Sequence, residues 1–205
     1  MPTTSSARRT LLLGLSSAAL MAGCSGIPLR SLPRLARLSK QLLDADPAEF
    51  GIAVQLDVRM APPPQAHPWL LLKLTPRKAG SFDPVDARLP LRAGPPTGGL
   101  QGLDPAPRGR RWLIYSLPPE TQAELRRVQA QIRQARPSPG EDRGGSLSIG
   151  IEQNDLATAM ADPALVNTPW QTWVQTHRSE GFFMLWEGTP AQLLAQARTA
   201  PPTPR

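Results

Sequence analysis

Few side chains in this chain have the types and spacing that chemistry needs. It has 205 residues, with one cysteine, Cys24, and two histidines, His67 and His177. A single thiol excludes an intrachain disulfide framework and a multi-cysteine metal site, and two histidines argue against a histidine-rich metal centre. His67 lies in the turn-like run Pro64-Gln65-Ala66-His67-Pro68. His177 is expected at the end of a helix, where an imidazole near the last carbonyls is favourable. Ser146 and Ser148 superficially resemble a nucleophile elbow, but no serine has glycine at both −2 and +2. They alternate with Leu147 and Ile149, so strand surface explains them better. The carboxylates Glu141-Asp142 and Asp44/Asp46/Glu49 lack metal-ligand spacing. Phosphate-loop and dinucleotide-turn motifs are absent too. The sequence thus predicts no catalytic residue, no metal and no cofactor, and a protein that is not an enzyme.

The N-terminus is more informative. Arg8-Arg9 precede an apolar run over residues 10–22, which Gly23 and Cys24 follow, with no acidic residue before them. A basic region, an apolar run and small residues in that order form the layout of a secretory signal. The run is 13 residues long, short of the roughly 20 needed to span a bilayer. The segment Leu20-Met21-Ala22-Gly23-Cys24 resembles the lipobox of bacterial lipoproteins, with Met21 where leucine is usual. That resemblance implies cleavage before Cys24, acylation of the cysteine and anchoring in membrane lipid. Ser25 next to it is compatible with transport to the outer membrane, facing the periplasm. An ordinary secretory signal with a chance cysteine is the alternative; against it, the only cysteine stands at the one position a lipobox requires. Arg8-Arg9 also loosely resembles a twin-arginine signal, although two basic residues are normal in any such region.

A basic stretch follows the anchor. Leu32, Leu35, Leu38, Leu42 and Leu43 fall on one arc at helical spacing, and Arg34, Arg37 and Lys40 on the opposite one. With Ser31 as cap, an amphipathic helix is predicted, ending near Asp46-Pro47. Its leucines are expected to dock on the domain, while Arg30, Arg34, Arg37 and Lys40 lie close enough to meet anionic headgroups.

The elements behind it are mostly strands. Ile52, Val54, Leu56 and Val58 alternate with Ala53, Gln55, Asp57 and Arg59, predicting a half-buried strand. Residues 69–75 are expected to form a central strand, residues 87–91 an edge strand because of Pro90, and residues 111–117 another strand. Leu125, Val128 and Ile132 mark a one-sided helix over residues 120–133, and residues 146–151 alternate as a strand. Residues 94–109 and 136–145 are rich in proline and glycine and read as loops. Trp170, Trp173, Val174 and His177 have i, i+3, i+4, i+7 spacing, which predicts a helix opened by Thr168-Pro169. Residues 182–186 read as an apolar strand, Thr189-Pro190 as the start of a last short helix, and residues 200–205 as a disordered tail.

Strands without regular βαβ alternation predict an α+β fold, an antiparallel β-sheet with three to four short helices packed on it; a β-sandwich with helical insertions is the alternative. The expected division is a signal over 1–23, a lipidated N-terminus with its helix over 24–47, one globular domain over 48–199 and the tail. Trp170, Trp173 and Trp186 read chiefly as core and are also the first candidates for a partner surface.

The net charge is +7 and the pI about 10.9, which invites a nucleic-acid reading. Arg8 and Arg9 supply +2, and Arg30, Arg34, Arg37 and Lys40 supply +4, which leaves +1 for residues 41–205. The globular part is almost neutral, so the basicity belongs to the export signal and the stretch beside the membrane. Export also contradicts nucleic-acid binding. The expected function is a lipid-anchored periplasmic binding or assembly module with an unknown envelope protein as partner. A membrane-tethered envelope hydrolase is the alternative.

Overall fold

A computed structural model of the chain describes residues 41–134 and 145–199. Alternation sets most of its elements. Strand β1 (Gly51–Asp57) is followed by β2 (Trp69–Pro76), β3 (Val85–Pro90), the two-residue β4 (Arg92–Ala93) and β5 (Arg110–Ser116). Helix α1 (Pro119–Gln134), β6 (Gly145–Glu152), α2 (Asn154–Ala159), β7 (Trp170–Gln175), β8 (Phe183–Gly188) and α3 (Pro190–Thr199) complete the chain. Short 3-10 turns lie at Pro47–Glu49 and Arg178–Glu180. The fold is α+β, with the strands divided between two antiparallel sheets that do not close into a barrel. Their orders are β4-β5-β1-β7-β8 and β3-β2-β6.

Both sheets bury one face in a single core. Ile52, Val54 and Leu56 of β1 and Leu70, Leu72 and Leu74 of β2 enter it, as do Leu125, Val128 and Ile132 of α1. Each such side chain contributes about 1.5–3 kcal/mol when taken fully out of water. β2 is central in the small sheet and β3 forms its edge, where Pro90 lacks the N–H that a second neighbour would require.

Tyr115 lies on the core side, opposite Ile52. Burial pushes its phenol up to about 12 from an ordinary 10.0, against the opposing pull of the nearby Arg111 charge. It is the only tyrosine, so the phenolate absorbance of the native chain is expected to rise near pH 12. Between pH 10 and 12 the unfolded chain has released a proton that the folded chain retains, so stability falls as pH rises through that window. Phenolate absorbance appearing near pH 10 while the fold is intact would show that the ring is accessible to water.

Two expectations are corrected. Residues 170–175 form a strand and not a helix: Trp170, Thr172 and Val174 are buried on the core side, while Gln171 and Trp173 point the other way. The helical spacing was misleading because the middle core position holds a polar residue. Thr172 Oγ1 donates to Gln153 Oε1 at 2.8 Å, which satisfies the hydroxyl inside the core. His177 consequently follows a strand and enters the 178–180 turn, with no helix C-terminus beside it.

β1 is also buried more completely than its alternation predicts. Ala53, on the face away from the core, is fully buried. The loop over residues 94–109 crosses this end of the large sheet. Thr97 N donates to Ala48 O at 2.9 Å, and Phe182 N donates to Gln101 O at 2.7 Å. Glycine is required where the loop closes. A Cβ on Gly102, at φ +86°, would meet the Phe182 backbone at 2.8 Å, and one on Gly181, at φ +65°, would meet Gln101 O at 2.7 Å.

The N-terminal end of the described chain is tied to α1. Residues 41–44 are helical, and Leu42, Leu43 and Ala45 lie in the core. Gln129 Nε2 donates to Leu42 O at 2.7 Å and Ala45 O at 3.0 Å, and Arg133 Nη1 donates to Leu43 O at 3.0 Å. These donors satisfy carbonyls that a helix end leaves without intrahelical partners. Asp46 then caps the Pro47–Glu49 turn, accepting from Ala48 N at 3.1 Å.

Candidate functional site

The register of the large sheet assembles a mixed aromatic and polar surface on its outer face. Gln55 of β1 stands opposite both Trp112 of β5 and Gln171 of β7, and Gln171 stands opposite Glu187 of β8. One row thus runs Trp112, Gln55, Gln171, Glu187 across four strands. In the next row Ala53 pairs with Trp173. The Trp112 and Trp173 rings meet edge to face, with centroids 5.9 Å apart and planes at 86°.

Local hydrogen bonds fix both indoles. Trp112 Nε1 donates to Asp104 O at 2.9 Å, so the 94–109 loop holds the first ring. Trp173 Nε1 donates to Gln171 Oε1 at 3.3 Å. Both rings, Gln55 and Gln171 are half-buried and Glu187 is exposed. Among the described residues the Gln55 amide has no hydrogen-bond partner. Chemically, the surface offers planar apolar area flanked by amide donors and acceptors.

The three tryptophans singled out by sequence do not share this surface. Trp170 is fully buried on the core face and cannot reach a partner. Trp186 packs against the core from the same side, its ring 6.3 Å from that of Trp170. Only Trp173 faces outward, and its companion is Trp112. The signal that joins them is the register of β5, β1 and β7, which strand spacing along the sequence does not contain.

The remaining candidates are dispersed. Cys24 with Leu20, Met21, Ala22 and Gly23, the basic residues Arg30, Arg34, Arg37 and Lys40, the loop acids Glu141-Asp142 and the tail lie outside the described residues. His67 is buried beside Trp69, with ring centroids 4.8 Å apart. His177 Nδ1 is 4.0 Å from Glu49 Oε2, which also accepts from Arg178 N at 2.9 Å. Ser146 and Ser148 lie exposed on a strand surface. Asp57 is held by Arg59 through two side-chain contacts of 2.9 Å, and those hydrogen bonds bring its carboxyl down to about 2. Among the described residues no group of three or more His, Cys, Asp or Glu could hold a metal ion, and no helix is long and apolar enough to cross a membrane. No family model, curated protein or solved structure matches the chain.

Proposed function

We propose that this chain is a lipid-anchored protein of a bacterial envelope, held in the outer membrane through acylated Cys24 and facing the periplasm. Its globular part acts as a binding or assembly module for another envelope protein. The observation that carries the reading is the position of Cys24: the only thiol in the chain follows an apolar run and small residues in lipobox order. The charge distribution supports it, since the basic residues ahead of residue 41 are concentrated beside the anchor. The docking of Leu42 and Leu43 on the domain is consistent with a short link between anchor and fold. The Trp112, Gln55, Gln171, Trp173 surface is the recognition face of the module, because half-buried tryptophan flanked by amides suits a protein partner.

Metabolic labelling with a fatty acid tests the anchor. The wild-type chain is expected to incorporate label and to migrate as the cleaved form, and Cys24→Ala to do neither. Persistent labelling of Cys24→Ala overturns the lipoprotein reading.

A further inference from the structure

The two sheets present four outermost strands, and three of them carry protection against pairing with another chain. β4 has only two residues. β8 has an irregular register where it meets Thr172 and Trp173, and α3 begins after a single intervening residue. β3 carries Pro90, and its Asp86 and Arg88 are charged. Short length, bulges, proline and charge are the usual means of blunting an edge.

β6 has none of these. Its eight residues, Gly-Ser-Leu-Ser-Ile-Gly-Ile-Glu, contain no proline, lysine or arginine. Their pairing with β2 is unbroken from Gly145 to Glu152. The one charge, Glu152, stands at the end of the strand and is engaged by Arg88 at 3.0 and 3.2 Å. In an antiparallel ladder, half of an edge strand's N–H and C=O groups point away from its single neighbour. Among the described residues β6 has a ladder partner on one side only. Leu147, Ile149 and Ile151 face the core yet remain only half-buried, and Ser146 and Ser148 are exposed on the opposite face.

We propose that β6 is an interface on which a second copy of this chain adds its own β6, antiparallel and about a two-fold axis. The strand is complementary to itself. Residues opposite one another across an antiparallel pair lie on the same face, so Leu147, Ile149 and Ile151 meet their own counterparts and the serines and Gly150 meet theirs. Charge selects the direction: antiparallel pairing puts Glu152 at the far, uncharged end of the partner strand, whereas parallel pairing sets Glu152 beside Glu152. The product is a continuous six-stranded sheet, β3-β2-β6 followed by its copy in reverse, with an interface that uses the same patch twice. This pairing does not depend on lipidation.

The test is the mass of the full chain in detergent by sedimentation, combined with amide exchange. The wild type is expected at twice the mass of its own processed monomer, and the Ser146→Lys/Ser148→Lys variant at the monomer mass. Both substituted positions are exposed, so the folded circular dichroism spectrum is expected to be retained. Alternate β6 amides, those pointing away from β2, are expected to exchange slowly in the wild type and rapidly in the variant. Cys24→Ala is expected to remain dimeric, which separates this pairing from the anchor. A monomeric wild type overturns the proposal, as does a lysine variant that stays dimeric. A dimer lost in Cys24→Ala would place the association in the anchor, and a monomer with protected β6 amides would show that the chain covers its own edge; either result also overturns it.

Discussion

Trp170→Ala is expected to destabilise the fold by about 3–5 kcal/mol, the range for deleting a large aromatic side chain from a packed core. Trp170 is fully buried, and its ring meets that of Trp186. The loss is one of packing, because among the described residues the Trp170 indole N–H has no hydrogen-bond partner and its removal orphans no acceptor. Trp170→Phe is expected to cost much less, since it keeps most of the ring and removes that unpaired N–H. Trp173→Ala, on the half-exposed outer face, is expected to lower stability far less than Trp170→Ala. Urea unfolding monitored by circular dichroism reads the difference as a shift in midpoint at constant slope. Equal losses at the two positions would contradict the strand assignment, because a helix would place both rings on one stripe. Small domains are stable by about 5–15 kcal/mol, so Trp170→Ala removes a large share of the total.

Gln129→Leu is the second large effect. Gln129 is 3% exposed, and its amide serves the Leu42 and Ala45 carbonyls. Leucine fills much of the volume and donates nothing, so each carbonyl left dry costs about 1–3 kcal/mol. The carbonyls can recover water only if residues 41–45 lift from α1, which exposes Leu42 and Leu43. The loss is therefore bounded by the cost of undocking the segment. Gln129→Glu is expected to be worse, because its carboxylate would face two carbonyl oxygens. Amide exchange over residues 42–50 checks the mechanism: protection there is expected to fall before that of β1. Unchanged protection with an unchanged unfolding midpoint would show that Gln129 does not hold the segment.

Much of the fold was legible where one physical signal acted alone. The alternation of β1 and β6, the apolar run of β2, the apolar stripe of α1 and the edge proline of β3 each reflect a local requirement. β7 was misread because two periods overlap in it. Trp170, Trp173, Val174 and His177 satisfy the helical spacing, while Thr172, polar yet buried, conceals the strand spacing until Gln153 is known to receive its hydroxyl. Gly51 shows a related limit, since Pro96, some forty residues downstream, packs within 2.9 Å of where a Cβ on it would stand. The candidate surface was the least legible feature. Trp112 and Trp173 become neighbours only through their shared alignment to β1, and alignment between distant strands is a property of the whole sheet.

The strand orders also have a consequence in time. The chain passes between the two sheets four times, and β1 lies between β5 and β7, with Gly51 paired to both Ser116 and Gln175. At roughly 5–20 residues per second of synthesis, β1 waits about 6–25 s for its second neighbour. Neither sheet can be finished from the first half of the chain: the small sheet lacks β6, and the large one lacks β5, β7 and β8. Until then the nascent polypeptide remains threadable, and its cooperative folding is deferred to the last strands to emerge.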